Sequence, residues 1–470
     1  MTEAIGRFAN VLNRLRHLKG PIAAIAAGGA VVGGLAGYWN GYHVVSQAVG
    51  DPITNSQTGK TAIPADAGPL SILVLPFANQ TGDTNKGYIA DALTSSISAD
   101  LNRIRDAFVV PTATAFTYKD KNLTVAQVGK DAGVRFVLQG GVVASGDKLR
   151  ISAQLADTQS GKQLWNETFE GEATNLFELQ DLVTTRIGNS IGTEMVIVAA
   201  RESEKRTSST KVADLMMRLR ALALQPQSTE LFAQREPMLR AVIKQEPDNA
   251  QALATLANSL AVYAVNFLEE TDPRYMPMLT EAKELALRAK GLDDQLTGIY
   301  YALAIHAGFI EKDRAEMRRG FETALKLAPK APGGYIYLAV WYSSDGQPKP
   351  AIELLKKSLD LYPKGSDTTF TGLAGCYLML GESTAAVEWA QQAVDLGSKL
   401  PSTYSILAMA HANLGHMDNA ARYVSEYKRR VGELGQKDGI EKLDGSESPA
   451  YVRYYNEHYL PEWRKAGLPE

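Results

Sequence analysis

The C-terminal half of the chain repeats one pattern of aromatic, leucine and alanine residues, and the period of this pattern constrains the fold. The aromatic residues Tyr335, Phe370 and Tyr404 open successive copies that are 35 and 34 residues apart. Each copy holds two apolar stripes at helical spacing, separated by a turn such as Ser344–Gly346. Because neither helix of such a pair can bury its apolar face alone, neighbouring pairs must stack into an α-solenoid.

The period and its small residues resemble tetratricopeptide repeats. Pro329 and Pro363 fall where the second helix of that family ends, since proline cannot continue a helix. Alanines fall where its two helices touch: Ala339, Ala351, Ala374, Ala386, Ala408 and Ala420. The resemblance covers residues 211–430, with two degenerate copies at the start of this range, and it implies a scaffold that binds other proteins.

Residues 70–195 carry the pattern of a mixed α/β domain. Apolar runs predict strands at 71–77, 108–111, 134–143, 149–156 and 163–169. Helical spacing predicts helices at 85–104, at 124–132 with Thr124 as its cap, and from Asn175 onward. Four stretches resemble the TolB amino-terminal-like domain, which occurs beside tetratricopeptide repeats in bacteria: Ser71–Phe77, Gly87–Leu93, Val134–Val142 and Leu149–Asp157. The resemblance implies that domain's fold, and residues 196–210 are expected to link it to the repeats.

Residues 21–39 contain no charged side chain and are long enough to cross a bilayer as a helix. Arginines and a lysine precede this segment, whereas the first charge after it is Asp51, so the positive-inside rule places Met1 in the cytoplasm. We therefore expect a single-pass protein of the bacterial inner membrane, with an α/β domain and an all-α solenoid on the periplasmic side. The alternative is a signal peptide cleaved near Ser46–Ala48.

The segments around this span complete the expected N-terminal organisation. Residues 1–20 predict a basic amphipathic stub on the cytoplasmic leaflet, and residues 40–69 predict a flexible tether. Gly29, Gly33 and Gly37 lie on one helix face, a spacing that lets two membrane helices approach closely and predicts a homo-oligomer. A segment that is merely rich in small residues would show the same spacing.

No group of residues points to catalysis. The sequence has neither a phosphate-binding loop nor a dinucleotide-binding glycine motif, and its six histidines are scattered. His411 and His416 are five residues apart, which places them off a common helical face. Asp83 precedes a helix and is expected to cap it rather than to bind a metal, and Cys376 is expected to be a buried, inert thiol. We expect no enzyme, no metal site and no cofactor.

The partners implied by the sequence are proteins rather than nucleic acids. The net charge of −3 and the dispersed basic residues argue against a nucleic-acid-binding face. Relatives that combine these two modules often carry a class III nucleotide cyclase or a winged-helix domain, and the twenty residues before the predicted span hold neither. A non-catalytic subunit beside a separate cyclase or transcriptional regulator, and an enzyme with an unrecognised site in the α/β domain, remain alternatives to a scaffold or sensor.

The first helix of each repeat is expected to line a groove that binds a protein or peptide. The offsets of the family place ten residues there: Ile299, His306, Phe309, Ile336, Val340, Ser343, Thr371, Leu378, Ser405 and Met409. This apolar, hydroxyl-rich surface favours an extended segment or an amphipathic helix with apolar anchors. Residues 431–470 contain an aromatic helix, which we expect to cap the last repeat rather than to fill the groove.

Overall fold

The structure of the protein is a computed structural model that describes residues 69–102, 104, 107–119, 121, 123–204, 211–434, 436 and 448–469. These residues are mostly helical and include one small sheet. The predicted stub at 1–20, the predicted span at 21–39 with Gly29, Gly33 and Gly37, and the tether up to residue 68 lie outside the described residues.

The expected placement in an inner membrane is corrected by the structure. Within the part of the chain that the structure describes, no helix is both long enough and apolar enough to cross a membrane. The longest described helix, Leu176–Glu204, carries charged residues along its length, among them Asp181, Arg186 and Glu194. The prediction of a single-pass inner-membrane protein with a periplasmic body is therefore wrong.

Six strands form the sheet of the α/β domain. They are β1 (Ser71–Val74), β2 (Ala78–Asn79), β3 (Phe108–Val109), β4 (Phe136–Ser145), β5 (Lys148–Asp157) and β6 (Gln163–Glu172). The order is β3-β1-β4-β5-β6, in which β1 is parallel to β3 and β4, β2 pairs with β4 further along, and β4, β5 and β6 are antiparallel neighbours. The predicted strand 71–77 is split because Pro76 has no N–H to donate and the N–H of Phe77 donates to Oγ1 of Thr94 at 2.9 Å.

Four helices cover this sheet: α1 (Gly87–Leu101), α2 (Thr112–Phe116), α3 (Val125–Ala132) and α4 (Leu176–Glu204). Helices α1 and α4 pack on one face, in an apolar cluster that includes Ile97, Ile151 and Val183. Helices α2 and α3 cover the other face only over β1, β3 and the start of β4. No helix of the described residues covers the second half of that face, on β4 to β6.

Two helix caps in this domain form where the sequence predicts them. The hydroxyl of Thr124 accepts from the N–H of Gln127, whose side chain accepts from the N–H of Thr124, so the predicted cap is confirmed as a capping box. Asp83 accepts from the N–H of Asn85 at 2.9 Å, which confirms it as a cap. Residues 196–204, predicted as a linker, instead continue α4 because Ala199 and Ala200 pack into the core.

Twelve helices follow between residues 211 and 434. They are α5 (Val212–Leu222), α6 (Thr229–Gln245), α7 (Ala250–Phe267), α8 (Tyr275–Leu292), α9 (Thr297–Phe309), α10 (Arg314–Leu327), α11 (Pro332–Ser344), α12 (Pro348–Leu361), α13 (Asp367–Met379), α14 (Ser383–Asp395), α15 (Pro401–Asn413) and α16 (Met417–Leu434). From α7 onward they pack as successive hairpins. The alanines that the repeat pattern placed between paired helices are fully buried, as Ala374 and Ala386 show. The predicted solenoid of helix pairs is confirmed.

The α/β domain contacts the repeats through α4. The side-chain amide of Asn189 donates to the carbonyl oxygens of Lys330 and Leu361, each at 3.0 Å. The ammonium of Lys330 also pairs with the carboxylate of Asp100 on α1 at 3.0 Å. These polar contacts join the ends of two second helices, α10 and α12, to the helices of the domain. Apolar contacts add to them, because Met217 of α5 packs into the core of the α/β domain.

Candidate functional site

The first helices of the hairpins form the surface on which the sequence placed a partner, called the inner surface below. It consists of α9, α11, α13 and α15, of which α11, α13 and α15 contact one another in turn. Six of the ten predicted groove residues are buried there: Ile299, His306, Thr371, Leu378, Ser405 and Met409. Phe309, Ile336 and Ser343 are half-buried, and Val340 is 41% exposed. Most of the predicted groove residues are therefore packed against other side chains of the chain rather than open to solvent.

One cover is the segment that leads into α6. The backbone N–H of Gln227 donates to the buried carboxylate of Asp367 at the start of α13, and burial raises the pKa of this carboxyl while hydrogen bonds oppose that rise. Arg235 on α6 lies beside Tyr337 of α11, whose hydroxyl donates to Oδ1 of Asn258 at 3.2 Å. Helix α6 and α7 thus supply polar contacts to the inner surface of α11 and α13.

The second cover is the C-terminal segment, residues 448–469. It consists of α17 (Pro449–Tyr454), a π-helical turn (Tyr455–Tyr459) and α18 (Leu460–Ala466). At its start the hydroxyl of Ser448 donates to the carbonyl of Asp345 at 2.7 Å. Gly346 has φ +74°, and a Cβ there would lie 2.7 Å from the backbone nitrogen of Tyr451. Glycine is therefore required at this position both for the turn and for the close approach.

The C-terminal segment is anchored by buried aromatic and apolar side chains. Trp463 is 3% exposed, packs edge-to-face on Tyr427 of α16 with ring centroids 5.4 Å apart, and donates from Nε1 to the carbonyl of Pro469. Trp463 shares one buried cluster with the predicted groove residues Leu378 and Met409. The segment therefore packs on the last hairpin and also covers part of the inner surface.

The π-helical turn sets the spacing of the aromatic side chains that anchor the C-terminal segment. A π-helical turn inserts an extra residue into a helix and shifts the register of the side chains that follow. Here the rings of Tyr455 and Tyr459 stack at a centroid distance of 5.5 Å, and Tyr459 then contacts Trp463 at 5.6 Å. The aromatic rings form one continuous ladder, and burial raises the pKa of the Tyr454 phenol beside it.

Residues with reactive side chains do not assemble a catalytic group at this surface. The turn after α15 brings Nδ1 of His411 to 3.4 Å from Nδ1 of His416, although the two residues do not share a helical face. Burial lowers the pKa of His411, and no cluster of three metal-binding side chains occurs in the described residues. Cys376 is buried, and burial raises the pKa of its thiol to about 12, which confirms the expected inert thiol.

A separate cavity of about 550 Å³ lies on the uncovered half of the sheet. Strand register aligns the amide side chains of Gln139, Gln154 and Asn166 across β4, β5 and β6, and all three line the cavity. None of these amides hydrogen-bonds to another side chain or backbone group of the described residues. The described histidines all lie in the repeats and the C-terminal segment. The three amides therefore offer hydrogen bonds to a polar molecule in this cavity.

The chain is similar to one curated protein and to solved helical-repeat structures. No family model matches it. The protein named "Putative adenylate cyclase 3" of Rhizobium meliloti (strain 1021) is 34% identical over 251 residues, which are 52% of this chain and 42% of that protein. The chain thus spans less than half the length of this relative.

Two solved structures illustrate the structural similarity. PilW, a widely conserved type IV pilus biogenesis factor, is 16% identical with a TM-score of 0.33, over 43% of this chain and 87% of PilW. YrrB, described as a TPR protein with an unusual peptide-binding site, is 15% identical with a TM-score of 0.28, over 42% of this chain and 93% of YrrB. At such scores neither similarity transfers a function to this chain.

Proposed function

We propose that this protein is a non-enzymatic scaffold whose inner surface binds an aromatic, helical segment of a partner protein. One observation carries the proposal: the surface already holds such a segment, because residues 448–469 lie on it through Trp463 and neighbouring apolar residues. A surface that binds an aromatic helical segment of its own chain can also bind such a segment of a partner protein, which would compete for the same contacts. The partner could also be the C-terminal segment of a second copy, which would produce a homo-oligomer.

The α/β domain fits the same proposal. The strand order and the helices packed on the sheet support the resemblance of residues 70–195 to the TolB amino-terminal-like domain, which occurs beside such repeats in bacteria. Its polar contacts with α10 and α12 hold it against the repeats rather than leaving it separate. The domain would then act as a second binding module of the scaffold.

A second function is favoured by the sequence relative. A protein named as a putative adenylate cyclase is 34% identical to this chain over 251 residues, while more than half of that protein lies outside the match. The shared part would be a regulatory region, and this chain would be a non-catalytic signalling subunit that acts beside a separate nucleotide cyclase. Conversion of ATP or GTP to a cyclic nucleotide by the purified chain would contradict both proposals.

The scaffold proposal is tested by supplying the segment in trans. A fluorescently labelled peptide of residues 448–469 is titrated into the full chain carrying Trp463→Ala, which weakens the internal segment. The peptide should bind this variant and not the wild-type chain, because the wild-type surface is occupied. The control is Lys465→Ala, whose exposed ammonium donates to Oδ1 of Asn413 at 3.3 Å.

The outcome depends on a folded variant, so the circular dichroism spectrum of the Trp463→Ala chain is recorded first. If that spectrum matches the wild type and the peptide still does not bind, the inner surface does not recognise aromatic helical segments and the proposal fails. Binding that is equally strong to the wild type and to both variants would place the peptide site elsewhere on the molecule.

A further inference from the structure

A cavity of about 380 Å³ opens between the second helices α14 and α16, away from the C-terminal segment. It is lined by Gln391 and Val394 of α14, residues 397–399 of the following loop, Tyr404 of α15, and four residues of α16: Arg422, Tyr423, Glu426 and Arg430. None of the residues of the C-terminal segment lines it. An inference about this cavity is therefore independent of the proposed function.

Arg430, a buried cation of the cavity, has hydrogen-bond donors that lack an acceptor within the described residues. Arg430 is 8% exposed, and its guanidinium lies over the ring of Tyr404 at 4.8 Å. Its Nη2 donates to the hydroxyl of Tyr404 and to the carboxylate of Glu426, each at 3.0 Å. Its Nε and Nη1 are buried and make no hydrogen bond within the described residues. A buried donor without an acceptor destabilises the fold unless a ligand supplies the acceptor.

Two further cations line the same cavity. Arg422 lies over the ring of Tyr423 at 4.6 Å and donates to its hydroxyl at 2.7 Å, while that hydroxyl donates to Gln391. Arg422 forms no ion pair with a carboxylate of the described residues, and Lys399 interacts with the charge of Glu230, which does not line the cavity. The phenol thus fixes the position of one guanidinium without neutralising its charge.

Little negative charge lines the cavity to offset these cations. Glu426 is the only acidic residue that lines the cavity within the described chain, and it pairs with both Arg429 and Arg430. These two arginines, Arg429 first, lower the pKa of Glu426 to about 2, so this carboxylate is already fully engaged at neutral pH. Among the residues that line the cavity, three cations stand against this one carboxylate, an excess of two positive charges.

We propose that this cavity binds the phosphate group of a phosphate monoester, with Arg422, Arg430 and Lys399 as its ligands. A dianionic phosphate matches the surplus of two positive charges, whereas a carboxylate would leave one charge unmatched. Arginine presents a planar fork of donors that suits phosphate oxygens, and the guanidinium groups are already held by Tyr404 and Tyr423. The volume of about 380 Å³ exceeds that of a phosphate alone, so the remaining space would hold the organic group of the ester.

The test is a calorimetric titration of the full chain with inorganic phosphate, and separately with acetate, at fixed ionic strength. Phosphate should bind and acetate should bind at least about tenfold more weakly, because it carries one charge instead of two. The substitution Arg422→Gln should weaken phosphate binding by about tenfold or more, the size expected for one charge-assisted contact. Arg422 is at the cavity mouth and exposed, so this variant should keep its fold.

The matched control is Lys428→Gln, which removes one positive charge from an exposed position of α16 that does not line the cavity. It should change phosphate affinity less than about twofold, since screened surface charges act weakly. If Lys428→Gln and Arg422→Gln weaken phosphate binding equally, binding depends only on the net charge of the protein, and the proposal is overturned. It would also be overturned if phosphate gave no binding heat at millimolar concentration, or if acetate bound as tightly as phosphate.

Discussion

Replacing Trp463 with alanine should release the C-terminal segment from the repeats. The indole is 3% exposed and packs on Tyr427. A buried aromatic side chain removes about 150–250 Å² from water, which is worth about 4–6 kcal/mol at 25 cal/mol per Å². Measured losses for truncating tryptophan or phenylalanine to alanine in protein cores are about 3–5 kcal/mol. A loss of about 4 kcal/mol corresponds to a thousandfold smaller equilibrium constant for docking of the segment.

The loss should fall on the segment rather than on the whole solenoid. The helices beneath it keep their own core, in which Ala408 of α15 and Ala420 of α16 are fully buried within one hairpin. Opening the segment exposes less apolar surface than unfolding a hairpin, so it is the lower-energy opening event. The expected state is a folded solenoid with an undocked segment.

Hydrogen–deuterium exchange followed by mass spectrometry measures this directly. In Trp463→Ala, amides of residues 448–468 should exchange up to about a thousandfold faster, while those of α11 to α14 should keep their protection. Lys465→Ala, which removes only an exposed contact, should leave both regions unchanged. The reasoning is refuted if the segment stays as protected as in the wild type, or if α11 to α14 lose protection to the same extent.

Three further predictions concern stability. Leu338→Ala should lower the free energy of unfolding by about 2–5 kcal/mol through a cavity in the main repeat core, as measured by urea denaturation. Gly140→Ala should cost about 1–3 kcal/mol in the same assay, because a Cβ there would lie 2.4 Å from the ring of Phe77. Burial lowers the pKa of His306 and of His411, so below about pH 6.5 the unfolded chain takes up protons that the folded chain does not. The free energy of unfolding should therefore fall as the pH drops from about 7.5 to 5.5, and a double His-to-Gln variant should show a smaller decline.

The repeats could be predicted from the sequence because their determinants are local. An alanine between paired helices, such as Ala374 or Ala386, is required wherever two backbones approach closely, and it recurs with the period of the repeat. The strands of the α/β domain were predictable for the same reason, since Leu149, Ile151 and their neighbours alternate with polar residues. The break between β1 and β2 was not predicted, although Pro76 marks it.

The covering of the inner surface could not be predicted, because it depends on contacts between distant parts of the chain. Ser448 and Asp345 are 103 residues apart, and neither lies in an apolar pattern that would identify the other. The resemblance to tetratricopeptide repeats predicts which residues face the inner surface, such as Leu378 and Met409, but not what packs against them. The meeting of His411 and His416 was missed because α15 ends at Asn413, so helical periodicity does not apply across the turn.

The two covers of the inner surface differ in how they can be removed. Helix α6 contributes Leu239 and Val242 to the largest repeat core, and its Phe232 stacks on Tyr263 of α7 at 3.9 Å. Withdrawing α6 would therefore break a hairpin core and leave the solenoid damaged. The C-terminal segment inserts mainly the side chains that follow its π-helical turn, with Trp463 the largest. A partner that competes for the inner surface must therefore displace the C-terminal segment first, and its affinity is reduced by the free energy with which that segment docks.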